Sequence, residues 1–287
     1  MSSQIGHTTN PSSGGATVMK AFLGLYLRDL RVLSRELMPF LLRVGMQPLL
    51  FLFVFTFIMP RMSGGNPMAA GAMAGMAPGP GASFGTVLLP GLMAVAIMFS
   101  GIAAVALPLS TEFGITREID DRVMCPVPVW AVAFEKVCFS ALQSMVAALL
   151  VIPMAIWIPA TPVYPHIQNW FLFVLVLLMS SLLAGALGLA IGSSVGPRQI
   201  GLVFSIIVVP ITFLGCVYYP WAGLEKIRWL QIAVLFNPIV YISEGLRAAV
   251  TPDVQHMPVW AILLALTFFL AVLGRFGVRG FLRRVIS

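Results

Sequence analysis

Long apolar runs alternate with short polar connections along the chain. Six runs, at residues 40–59, 87–109, 137–158, 170–191, 200–217 and 257–276, are each about as long as a bilayer crossing. A helix of about 20 apolar residues spans the hydrocarbon core, and lipid forces every span to satisfy its own backbone. The pattern therefore predicts an all-α polytopic membrane protein with six transmembrane helices, its transmembrane domain occupying residues 39–287. Ahead of it, residues 19–38 repeat on a helical period. Lys20, Arg28, Arg31 and Arg35 share one face with Gly24, and Leu23, Tyr26, Leu30, Leu33 and Leu37 share the other. A basic amphipathic helix of this kind is expected to lie along a membrane surface against anionic headgroups. Residues 1–18 are polar, rich in Gly and Ser and without a signal-peptide core, so they are expected to form a disordered cytoplasmic tail. Residues 62–83 are Gly, Ala, Met and Pro, the composition of a flexible external loop.

The connection after the fifth run differs from the others. Within 218–256, two short apolar pieces, 230–236 and 239–250, are split by Asn237-Pro238. Neither piece is long enough to span, so the segment 221–250 is expected to form two external re-entrant half-helices. Tyr241, Glu244 and Arg247 follow at i, i+3 spacing on one helical face, where Glu244 and Arg247 are placed to pair. Single cysteines at 228 and 247 should then both be labelled from outside. Tyr218, Tyr219, Trp221 and Trp229 fit an aromatic belt at the outer interface.

Composition sharpens this picture. The chain is 59% hydrophobic and only 9% charged, with mean hydropathy +0.98, against about 25% charged in soluble proteins. Its net charge of +7 follows topology, for thirteen of the seventeen bases fall on the side of both termini. Lys and Arg mark the cytoplasmic side, so both termini are expected inside a bacterial cytoplasmic membrane. No basic stripe interleaved with aromatics faces water, which excludes a nucleic-acid partner. Cys125, Cys138 and Cys216 are odd in number and scattered, which implies no disulfide framework.

Charge is concentrated in one place. Residues 111–128, between the second and third runs, hold Glu112, Arg117, Glu118, Asp120, Asp121 and Arg122, with Glu135 and Lys136 just beyond. Such clustering is expected of a loop that grips a soluble partner, where charge pairs fix register and on-rate. Pro126 and Pro128 stop the loop helix and force an extended return into the third span.

Other chemistry is missing. No ionisable residue occupies the centre of a span, which weighs against ion coupling. Gln47 and Gln143 are the most polar interior residues, with hydrogen bonding between helices as their expected role. His7, His166 and His256 form no metal-ligand pair. Met68, Met73 and Met76 lack the His or Cys company that would favour soft-metal capture over plain linker. Ser180-Ser181 and Ser193-Ser194 have no His–acid partner nearby in sequence. No G-x-x-x-x-G-K-[ST] loop is present, so any ATP that powers transport is hydrolysed by another polypeptide. A scaffold or sensor recruiting a cytosolic partner through the same loop, and an ion-coupled carrier, are the alternatives.

Three blocks resemble the ABC-2 type permeases, the membrane subunits of drug-resistance, lipooligosaccharide and capsule or O-antigen exporters. They are STEFGITREIDDRVMCPVPVWAVAFEKV (110–137), VPITFLGCVYYPW (209–221) and FNPIVYISEGLRAAV (236–250), in family order. The resemblance implies an exporter half that pairs with a second permease subunit, expected as a homodimer, on two cytosolic ABC ATPase subunits. It implies no cofactor on this chain, with ATP and Mg in the partner ATPase. It makes the charged loop a coupling helix, with Glu118, Asp120, Asp121, Arg122, Pro126 and Pro128 as its ATPase-facing set and the N-terminal helix as its brace. It makes Asn237, Pro238, Tyr241, Glu244 and Arg247 an external gate. The substrate it implies is amphipathic or lipid-linked: a glycan, a glycolipid or a hydrophobic drug.

Overall fold

A computed structural model describes residues 13–58, 61, 84–113, 128–157, 166–196, 198–225 and 227–286. Among them the protein is all-helical, without a strand. Helix α1 (Ser13–Arg35) stops at a bend at Glu36, and α2 (Leu37–Leu52) leaves at once and runs on into a π-helical turn, Phe53–Ile58. Then follow α3 (Phe84–Thr111), α4 (Val129–Trp157) and α5 (Trp170–Ser194). Helix α6 (Ile200–Phe213) carries a π turn at Phe204–Val208. After it come α7 (Arg228–Ala233), which a 3₁₀ turn extends to Phe236, then α8 (Pro238–Val250) and α9 (Val259–Ile286). Among the described residues, five helices (α2, α3, α4, α5 and α9) are long and apolar enough to cross a membrane, so the protein is a multi-pass membrane protein.

The centre is α3 against α5, with α4 packed on both and α9 on α5. In α3 and α5, 72% and 61% of the apolar stretch is buried, against 22% in α2 and 17% in α9, which sets the last two at the rim. Small residues permit the central contact. Ala184, Gly188 and Gly192 repeat every fourth position along α5, and a Cβ at Gly188 would stand 3.0 Å from the Ile102 Cα. At the facing Gly101 a Cβ would meet the Ala184 Cβ at 2.5 Å. Lipid supplies no hydrophobic drive between spans, so close backbone approach and interhelical hydrogen bonds hold them. One such bond runs from Ser140 Oγ to the Gly101 carbonyl at 2.8 Å.

Three boundaries differ from expectation. The fifth run, expected at 200–217, is helical only over Ile200–Phe213. At about 1.5 Å per residue it rises roughly 21 Å, short of the ~30 Å core. The chain turns after Phe213 because Ser243 and Arg247 hold the Gly215 and Cys216 carbonyls, with Cys216 at φ 52°. The third span starts at Val129, earlier than expected, and takes Glu135 and Lys136 into the helix. Helix α1 starts at Ser13, inside the segment expected to be a disordered tail. The Met- and Gly-rich stretch 62–83 lies outside the described residues.

Candidate functional site

The charged loop can be followed at its two roots. Helix α3 ends at Thr111, and Glu112 and Phe113 prolong it by a wider, π-helical turn. Glu118, Asp120, Asp121, Arg122 and Pro126 lie outside the described residues. Pro128 stands directly before α4, where its carbonyl accepts the Ala131 N–H at 2.8 Å and starts the helix.

Both roots are tied inward. Lys136 Nζ lies 3.2 Å from Glu112 Oε1 and 3.5 Å from Asp29 Oδ2, with all three side chains at most 14% exposed. One ammonium therefore joins α1, α3 and α4. Rings hold the same seam, Phe22 against Phe134 and Tyr26 edge-on to Phe139, each with centroids 6.2 Å apart. Burial, then the neighbouring Cys138 and Glu135, push the Tyr26 phenol above its ordinary pKa. On the other side, the Phe113 ring meets Phe281 edge-on at 5.7 Å, and the Arg284 guanidinium sits 4.8 Å over it. Arg284 also donates to the carbonyls of Gly192, Ser193 and Val195 at 3.3, 3.2 and 2.9 Å. Those are acceptors at the C-terminal end of α5, which a cation both satisfies and stabilises.

One sequence expectation changes. The clustering of charge places Glu112 and Lys136 among groups facing water, yet they are buried and face each other. Asp29, which completes the cluster, is the lone acid in a basic helix, and that oddity is the signal that could have marked it. Lys20, Arg28, Arg31 and Arg35 are all exposed on α1.

At the opposite end, α7 and α8 meet at 98°. Asn237 makes the corner. Its Oδ1 caps α8 by accepting the Ile239 N–H at 3.0 Å, its Nδ2 donates to the Ile211 carbonyl at 2.6 Å, and Pro238 takes the first helical position. Glu244 and Arg247 form an ion pair with no solvent exposure. Glu244 further accepts the Trp221 and Met257 N–H groups, each at 2.9 Å, and Arg247 donates to the Cys216 carbonyl at 3.2 Å. The pair thereby ties α8 to the turn after α6 and to the start of α9. Tyr241 points elsewhere: its hydroxyl donates to the Leu235 carbonyl at 3.0 Å and its ring lies 5.8 Å from Phe269.

The burial of Arg247 corrects the expectation that position 247 is open to labelling, while Arg228 is exposed. Tyr218 also leaves the expected belt, because it is buried among Phe51, Phe55 and Phe213. Trp229 is 73% exposed.

In comparisons with known proteins, the family profile described as ABC-2 type transporter matches residues 21–251, from α1 to the residue after α8. No curated protein matches the chain.

Proposed function

The chain belongs to the ABC-2 type transporter family, and we propose that it is the permease of an ATP-driven exporter carrying an amphipathic or lipid-linked substrate outward. Membership makes it the membrane component of an ABC transporter that works with an ABC ATPase. In this proposal two copies of the chain pair on two ATPase subunits in a bacterial cytoplasmic membrane. The nucleotide and its magnesium belong to those subunits. Both termini, α1 and the 111–128 loop face the cytoplasm; α7 and α8 face outward as a lid that the Glu244–Arg247 pair holds fixed. The basic face of α1 rests on the headgroups.

The observation that carries the coupling role is the Asp29–Lys136–Glu112 cluster at the root of the loop. A loop whose charges only keep it out of lipid has no need of buried ions at its base, where desolvation makes them costly. A displacement of the loop by Glu118, Asp120, Asp121 and Arg122 against the ATPase would act on α3 and α4 through Glu112 and Lys136. It would reach α5 and α9 through Phe113 and Arg284. In this reading Pro126 and Pro128, by fixing φ, limit how far the chain can bend as it returns to α4.

The test is charge reversal at the loop tip. In D120K/D121K the subunit should still insert, while substrate-stimulated ATP hydrolysis by the reconstituted complex falls to that of the isolated ATPase. Undiminished stimulation would refute the coupling role. The chain purified alone should not bind ATP.

A further inference from the structure

A cavity of about 570 Å³ opens between α1, α2, α3 and α4. Arg28, Asp29, Glu36, Arg43, Lys136 and Gln143 are its charged and amide-bearing wall. Through Arg43 and Ala103 it adjoins a second recess of about 210 Å³, lined by Gln47 and Ser100 and by the apolar Val44, Pro48, Ala96 and Phe99.

Two residues that line these spaces each carry a buried polar atom without a partner. Gln143 Oε1 and Ser100 Oγ, on residues each 7% exposed, have no hydrogen-bond partner among the described residues. The expectation that Gln143 bonds to a neighbouring helix is not met. A buried polar group left unpaired costs free energy, and lipid tails offer it nothing. A ligand with its own polar atoms would remove that cost.

Charge narrows the ligand. Lys136 is occupied by Asp29 and Glu112. Arg28 and Arg43 have no ion pair among the described residues and stand exposed at the rim. A guanidinium is suited to phosphate, whose oxygens it can bind two at a time. Size narrows it again. Ligand pockets run from about 300 to 1,000 Å³, so this one has room for a headgroup but not for two acyl chains. The apolar recess beside it gives the start of a chain somewhere to go, which free phosphate would not use.

We infer that this cavity binds the phosphate-bearing headgroup of a membrane amphiphile, with Arg28 and Arg43 on the phosphate, Gln143 on a headgroup hydroxyl or amine, and the first part of a chain in the Ser100 recess. The site lies within one subunit and does not depend on the exporter reading, so its test needs neither the ATPase nor transport.

The full-length protein, delipidated in detergent, is titrated with phosphatidylglycerol and bound lipid is counted by native mass spectrometry. Wild type should hold one lipid that survives delipidation longest. R28Q/R43Q should bind it about tenfold more weakly, the worth of one charged hydrogen bond. Q143L should lose several-fold in lipid affinity yet melt no lower than wild type without lipid, since it removes an unpaired polar atom. Unchanged lipid affinity in both variants would overturn the site. Equal displacement by inorganic phosphate would overturn the amphiphile and leave a phosphate site; equal displacement by an alkyl maltoside would overturn phosphate recognition. Should R28Q/R43Q not remain monodisperse, the two single variants at these exposed positions serve in its place.

Discussion

Replacing Glu244 by alanine would leave three donors without their acceptor. They are the Trp221 N–H and the Met257 N–H, each 2.9 Å from a carboxylate oxygen, and the Arg247 guanidinium. Breaking a buried ion pair from one side costs about 3–5 kcal/mol. Each stranded backbone N–H adds about 1–3 kcal/mol. The loss in E244A is therefore roughly 5 kcal/mol or more, comparable with the ~5–15 kcal/mol that holds a native protein together. Arg247→Met leaves the carboxylate its two backbone donors, so its cost should lie near the lower bound, about 3 kcal/mol. The double variant E244A/R247M strands no charge, and its loss should fall short of the sum of the singles by about 2–3 kcal/mol. At roughly 2–4 °C per kcal/mol, E244A should melt at least ~10 °C below wild type, and the double variant well above that sum. The assay is thermal unfolding in lipid nanodiscs, followed by tryptophan fluorescence. Additive single effects, or a shift under ~2 °C in either single, would refute the reasoning.

Lys136→Met removes the cation that Asp29 and Glu112 share and should cost about 3 kcal/mol, whereas D29N keeps the 3.2 Å Glu112–Lys136 contact and should be milder. Melting and ATPase stimulation should rank the two in that order, and the reverse order would dismiss Lys136 as the hub. A single cysteine at 228 should react with an impermeant thiol reagent on intact cells, while one at 247 stays silent until the protein is unfolded. Labelling at 247 in the folded state would mean that this position is not enclosed. Gly91→Val places a Cβ on the Val217 carbonyl and should abolish monodisperse elution, with Gly24→Val, whose Cβ meets nothing within 4 Å, as the neutral control. Equal behaviour of the two would contradict the close approach of α3 to the turn after α6.

Much of the fold is legible along the chain because the causes are local. Sustained apolar composition makes a membrane span wherever it is long enough. Asn237 and Pro238 break α7 from α8 through their own chemistry, one capping and the other lacking an N–H. Glu244 and Arg247 sit one helical turn apart, so their pairing follows from spacing. The extent of the fifth span was harder to read. Its apolar run continues to Val217, but hydrogen bonds from Ser243 and Arg247 on a later helix turn the chain after Phe213.

The loop roots show the same division. Charge density marked residues 111–128 as a place of work, yet it did not say which charges face water. Lys136 has several acids nearby in sequence, and its second partner, Asp29, comes from a separate helix. Gln143 looked like an interhelical bond because glutamines in spans usually make one. Only the packed helices reveal that it lines a cavity instead, with its carbonyl oxygen left without a partner. Ala184, Gly188 and Gly192, at four-residue spacing, were a readable sign that α5 would be approached closely, though not that α3 would do it.

By itself the sequence determined that this chain is all-helical, crosses the membrane repeatedly, breaks at Asn237-Pro238 and gathers its charge between the second and third spans. Those properties depend on composition and neighbours, which water, lipid and backbone sterics read residue by residue. The tertiary structure decided that Lys136 is shared by two acids, that Arg247 is enclosed, and that Gln143 and Ser100 line an open space. Apolar spans are nearly interchangeable as neighbours in lipid, so only the fit of small residues and the closing of polar pairs selects one arrangement.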